Sequence, residues 1–108
     1  MLIAAAAQGS TLDSLIPEKY ELSSHLLIIE TDTMEIIEVC EKQDDMAESF
    51  LAPLEKHWAE AIVCGKIPQG IFAKIADMGI SRYNGAKLTV SAGIKGAEEN
   101  LLPLMVKE

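Results

Sequence analysis

The sequence lacks any apolar run long enough to span a bilayer; its hydrophobic stretches are short and interrupted, so no transmembrane helix is expected. It lacks a cationic segment ahead of the opening MLIAAAAQGS. That stretch therefore reads as a first strand and not as a secretory leader, with the cytoplasm as the expected compartment. Positive charge is scarce: 9 Lys and Arg stand against 17 Asp and Glu, a net charge of −8. No segment clusters its cations, so the electrostatic attraction that drives nucleic-acid binding is missing. An anionic membrane surface is disfavoured for the same reason. Cysteine is nearly absent, with only Cys40 and Cys64 and no C-x-x-C spacing, which argues against a disulfide framework. The glycine-rich dinucleotide and phosphate-loop motifs and the GxSxG elbow are all missing. The first strand carries no carboxylate, so two-metal nuclease chemistry lacks its ligands.

What is present is a core. The 108 residues are 49% hydrophobic, enough for one domain over residues 1–108. Leu2–Gln8 is continuously apolar until its end, as in a central strand covered on both faces. Thr11–Ser24 shows no periodicity and is long for a connection, a kind of loop that is often functional. His25–Glu30 and Glu35–Glu41 form a hairpin about Thr31-Asp32-Thr33. In the second of these strands, alternation places Ile37 and Val39 on one face and Ile36, Glu38 and Cys40 on the other. A helix is expected over Asp45–Trp58, capped by Asp44 or Asp45, with Met46, Phe50, Leu54 and Trp58 on one stripe and Pro53 kinking or restarting it. Ala61–Cys64 reads as a buried strand. Pro68 opens a helix with an Ile71, Phe72, Ile75 and Met78 stripe, stopped by Gly79. Ile80–Asn84 is a last strand, and a final helix starts near Thr89 or Ser91 and runs toward Val106.

Strand–helix–strand units require parallel pairing with right-handed crossovers. The expected fold is α/β and three-layered: a mixed five-stranded sheet with helices on both faces, in which the first, fourth and fifth strands are parallel and the second antiparallel. Ligands in such sheets gather beyond the carboxyl ends of the parallel strands. Gly9 and Ser10, Gly65 and Lys66, and Asn84 and Gly85 stand there, each pair with a glycine that permits close backbone approach. The amides of Ile67, Gln69 and Gly70 open a helix, and Lys66 adds positive charge, so a small anion or an anionic metal cluster fits this edge. The same glycines also serve as plain tight turns. Cys64 has two readings. As a thiolate favoured by the helix start and Lys66 it is a metal ligand; as a small hydrophobe it is a core thiol. Cys40, His25 and His57 follow no metal-ligand spacing.

Ala61–Phe72 (AIVCGKIPQGIF), followed by ADMGISRYNGA and a terminal helix, resembles the dinitrogenase iron–molybdenum cofactor biosynthesis accessory family. Ile62, Val63, Gly65, Ile67, Gly70, Phe72, Gly79 and Ile80 follow that family's core pattern. LIAAAAQGSTLDS and HLLIIETDTMEIIEV also look like its opening strands, so the resemblance covers most of the chain. Lys19–Ser23 (KYELS) stands near where the family often has a His-Phe-Gly-Arg run. The resemblance implies a ribonuclease H-like fold without nuclease residues. It also implies a non-enzymatic module that binds or carries an iron–sulfur or iron–molybdenum cluster, or a related small anionic ligand. The implied partner is a protein that donates or accepts the metallocluster. Cys64 is then the expected metal ligand, with Gly65, Lys66 and Gln69 shaping the pocket. The alternative is a protein-interaction or regulatory domain that has kept the fold and lost the ligand.

Overall fold

A computed structural model describes residues 1–43 and 47–105. The sheet contains β1 (Leu2–Ala7), β2 (His25–Glu30), β3 (Glu35–Glu41), β4 (Ala61–Cys64) and β5 (Ser81–Asn84), in the order β3-β2-β1-β4-β5. β1 pairs parallel to β4 and β4 parallel to β5, while β2 runs antiparallel to both β1 and β3. This is the expected mixed sheet, and its order is compatible with a ribonuclease H-like architecture.

Two apolar layers sandwich it. On one face Ala4, Ala6, Leu26, Ile28, Ile62 and Cys64 pack against α1 (Leu51–Lys56) and α2 (Gln69–Asp77) through Leu54, Ile71, Phe72 and Ile75. On the other face Ile3, Ala5, Ala7, Leu27 and Val63 meet Val90, Ile94 and Ala97 of α3 (Val90–Glu98). The alanines of β1 leave room for helices close above and below a central strand, as both-face burial requires.

Element ends are set by the residues that dictate them. Gly79 takes φ +75° just after α2, the left-handed stop that glycine adopts without strain. Thr89 caps α3, its Oγ1 accepting from the Ala92 amide at 3.2 Å. Pro68 sits one position earlier than expected, as the residue before α2.

Several expectations change. Asp44, Asp45 and Met46 lie outside the described residues, and the stretch expected as one helix is a 3-10 turn over Ala47–Phe50 and then the short α1. Pro53 falls in the first turn of α1, where its missing N–H costs nothing, so of the two expectations it is the restart, and not the kink, that the chain adopts. Trp58 leaves the stripe: α1 ends at Lys56, and Trp58 adopts φ +54° and stands 86% exposed, while Phe50 and Leu54 are fully buried. In β3, Ile28 pairs with Glu38 but Ile29 pairs with Ile36, so Ile37 is an extra, bulged residue. The bulge inverts the alternation: Ile36 packs toward the α3 layer and Cys40 toward the α1–α2 layer.

Candidate functional site

The carboxyl ends of β1, β4 and β5 do meet at one side of the molecule, but the chain has already filled the crevice between them. The segment from Leu12 to Tyr20 lies across all three ends. The Gln8 amide beyond β1 donates to Leu15 O (2.9 Å), the Lys66 amide beyond β4 to Glu18 O (2.9 Å), and the Lys87 amide beyond β5 to Ile16 O (2.7 Å). Ile16 and Pro17 are buried beneath this strap, with Ile16 against the α3 layer. Tyr20 is fully buried on the other face, its ring edge-on to Phe50 with centroids 5.8 Å apart. The long loop is thus a structural cover and a source of site residues.

Cys64 is the clearest correction. Its thiol is 0% exposed within the α1–α2 layer. Burial raises its pKa, and the nearby Arg82 guanidinium, which pulls the other way, does not offset that. The final residue of β4 points its side chain into the core, so the reading of Cys64 as an outward metal ligand is wrong and the core-thiol reading holds. Cys40 does not replace it: half-buried beside the Glu38 carboxylate, its pKa is pushed up to about 11 by burial first and by that charge second. Among the described residues no three His, Cys, Asp or Glu side chains group to hold a metal ion.

Gly65 and Gly85 are buried as well. A Cβ on Gly65 would overlap the carbonyl oxygens of Pro17 and Glu18, and one on Gly85 would overlap the Val63 side chain. Both glycines admit the strap and the core beneath it and are closed to solvent, which corrects the expected pocket-shaping role of Gly65 and the expected place of Gly85 at a binding edge. Asn84 is exposed, but its Oδ1 accepts from the Ala86 amide at 3.1 Å within its own turn. Gly9 is half-buried over Ser14, and Ser10 is exposed.

Lys66 and Gln69 remain open to solvent, and the structure adds a residue beside them that sequence reasoning missed. Lys19 forms a parallel β-bridge with Lys66, closed by Lys66 N–H to Glu18 O at 2.9 Å and Tyr20 N–H to Lys66 O at 2.8 Å. Two exposed lysines are thereby held side by side. Among the described residues neither is in an ion pair, whereas neighbouring Lys87 bonds Glu18 at 3.0 Å. α2 starts three positions beyond Lys66. Its first internal acceptor, Pro68 O, receives the Phe72 amide at 2.9 Å, and Pro68 offers no side-chain cap to the amides of Gln69, Gly70 and Ile71. Like charges directly opposed across a bridge cost stability. Next to free amides at a positive helix end, they form a place where an anion would be stabilised. Lys19 stands out in sequence only as one charge in an exposed loop; its partner is tertiary.

Two depressions accompany this side and its opposite. One of about 310 Å³ lies along the strap between Gln8, Leu15, Leu22 and Lys87. A wider one of about 690 Å³ lies where α1 ends and α2 turns into β5, lined by Leu54, Trp58, Met78 and Ile80.

The family model of the dinitrogenase iron-molybdenum cofactor matches residues 1–100. The chain belongs to that family. Solved structures agree on the fold. The apo form of the orange protein from Desulfovibrio gigas is similar with a TM-score of 0.83 at 19% identity, over 98% of this chain and 93% of that one. A provisionally assigned NifB protein from Thermotoga gives 0.81 at 17% identity, over 99% and 95%. A provisionally assigned dinitrogenase from Methanocaldococcus jannaschii gives 0.70 at 21% identity, over 97% and 96%. No curated protein matches the chain in sequence. Among the described residues, no helix of this family member is long and apolar enough to cross a membrane.

Proposed function

We propose that this protein is a non-enzymatic carrier or binding module of the iron–molybdenum cofactor family. In this reading it holds an anionic precursor, either a preassembled metal–sulfur cluster or an oxyanion, by charge and backbone amides and not by sulfur. The cluster is cargo, passed to or from a protein that donates or accepts it. The observation that carries the reading is the bridged pair Lys19 and Lys66 beside the uncapped start of α2. Family membership supports the chemical class of the cargo. The donor set argues against a thiolate-ligated cluster, because Cys64 is sealed and the described residues hold no ligand cluster.

The arrangement divides the work among three groups. Lys19 and Lys66 supply two point charges that adapt to an anion's shape, as flexible ammonium groups do. The Gln69 and Gly70 amides supply directional donors of fixed position, and the Gln69 side chain can add a further one.

The test is a titration of isotopically labelled protein with molybdate, read by amide shifts. Saturable shifts are expected at Lys19, Lys66, Gln69 and Gly70, absent in Lys66→Gln and retained in Cys64→Ala. Anaerobic incubation with iron and sulfide should leave the protein colourless. A coloured product that Cys64→Ser removes would overturn the reading, as would molybdate shifts scattered away from α2.

A further inference from the structure

The two edges of the sheet are treated differently. Beside β5, the chain lays its own segment Pro103–Met105: Leu104 bridges Tyr83 antiparallel, the Asn84 amide donates to Pro103 O at 2.9 Å, and the Met105 amide donates to Arg82 O at 2.6 Å. Beside β3, among the described residues, nothing pairs. An unpaired edge offers a row of backbone donors and acceptors to any extended chain. Past the bulge at Ile37 the ladder is regular from Glu38 to Glu41, and the Lys42 amide extends it by donating to Ser24 O at 2.9 Å.

The side chains on this edge restrict what can add. Ile37 and Val39 are 45% and 42% exposed, the apolar side chains of β3 that face solvent and not the core layers. Glu35 and Glu41 flank them, both exposed. The lysines near the strand face elsewhere: Lys42 Nζ donates to Glu21 O at 2.6 Å, and Lys56 Nζ sits 3.6 Å from Glu38 on the inner face. His25 Nε2 lies 3.7 Å from one Glu41 oxygen, and the Glu41 side chain stays 77% exposed. A second copy of this chain would bring its own Glu35 and Glu41 against the same row, and like charges opposed across strands repel. The acidic row therefore opposes self-pairing and favours a cationic strand.

We propose that β3 is a docking edge for an extended segment of a partner protein in which lysine or arginine alternates with aliphatic residues, added as a sixth strand. Backbone bonds to Val39 and Glu41, whose amides and carbonyls point away from β2, supply the attachment; Ile37 and Val39 take the aliphatic side chains, and Glu35 and Glu41 pair with the cations.

The experiment uses the whole protein and three synthetic peptides: Lys-Val-Lys-Val-Lys-Val-Lys, its glutamate counterpart, and the lysine peptide with proline at its centre. Amide shifts and slowed amide exchange at Val39 and Glu41 are expected with the lysine peptide, and not with the proline peptide. The Glu35→Lys, Glu41→Lys double variant should bind the lysine peptide about tenfold more weakly and gain affinity for the glutamate one. The inference is overturned if the lysine peptide leaves β3 unshifted, if charge reversal leaves its affinity unchanged, or if the wild-type protein sediments as a dimer that this reversal dissociates. Shifts caused by the glutamate peptide near Lys66 would be the anion site responding, and without changes in β3 they would leave this edge specific for cations.

Discussion

Gly65 is a position where one methyl group decides the architecture. Its missing Cβ is what lets the Pro17 and Glu18 carbonyls pass over the end of β4, and the Lys66–Glu18 and Tyr20–Lys66 bonds depend on that approach. Gly65→Ala should lose about 2–3 kcal/mol in chemical denaturation, the range of overpacking in a rigid site, and should weaken anion binding in parallel because the Lys19–Lys66 bridge opens. Cys64 makes the opposite point. It is a small apolar group among Ala6, Ile62 and Ile67, so Cys64→Ala should cost about 1 kcal/mol and leave anion binding intact. With thiol-specific alkylation at pH 8, Cys64 should label only on unfolding. Cys40, whose pKa is pushed up to about 11, should label slowly in the native state because the thiolate is the reacting form. The sequence left the two readings of Cys64 open because a strand's last residue can face either side, and the direction is set by pairing register, which the Ala61↔Ser81 to Cys64↔Asn84 ladder supplies.

At the scale of elements, β3 and α1 are joined by one carboxylate. Glu38 accepts from His57 Nε2 at the end of α1, with Lys56 Nζ 3.6 Å away. The His57 hydrogen bond first, then the Lys56 charge, hold its carboxyl below the ordinary range; partial burial opposes them. A carboxyl whose pKa is lower in the folded state contributes stability above its unfolded value, and that contribution vanishes as pH falls through the lower folded value. Native stability should therefore decline below about pH 4.5, and Glu38→Gln should flatten that decline while lowering stability at neutral pH. Trp58, next to His57 and exposed, is the sole tryptophan, so its fluorescence reads this junction directly in an acid titration. Most elements here were legible from punctuation and periodicity: Gly79, Thr89 and the Ile71–Phe72–Ile75 stripe act locally, as their residue types dictate. The bulge at Ile37 and the early end of α1 were not, because each is a compromise between pairing partners or packing layers that no short window contains.

For the whole molecule, the distribution of charge lets the proposed anion site be tested against mere stability. The chain carries a net charge of −8, yet it bridges Lys19 to Lys66 with neither in an ion pair among the described residues, and the neighbouring Glu18 carboxylate, which also feels the Lys19 charge, is engaged first by Lys87. A fold selected only for stability would relieve that opposition by a single change. Lys66→Gln should accordingly melt slightly higher than wild type without added anion, by about 2 °C. Ligand reverses the order. Molybdate at about 100 times its dissociation constant should stabilise the wild type by about 2.7 kcal/mol through mass action, which is about 10 °C for a chain of this length, and should leave Lys66→Gln where it was. Chloride at matched ionic strength provides the control, since screening of exposed charges acts on both proteins without saturating. A crossing of the two melting curves as molybdate is raised is the signature of charges kept for cargo. Parallel curves, or a wild type that is already the more stable without anion, would make the lysine pair part of the scaffold and remove the proposed anion site.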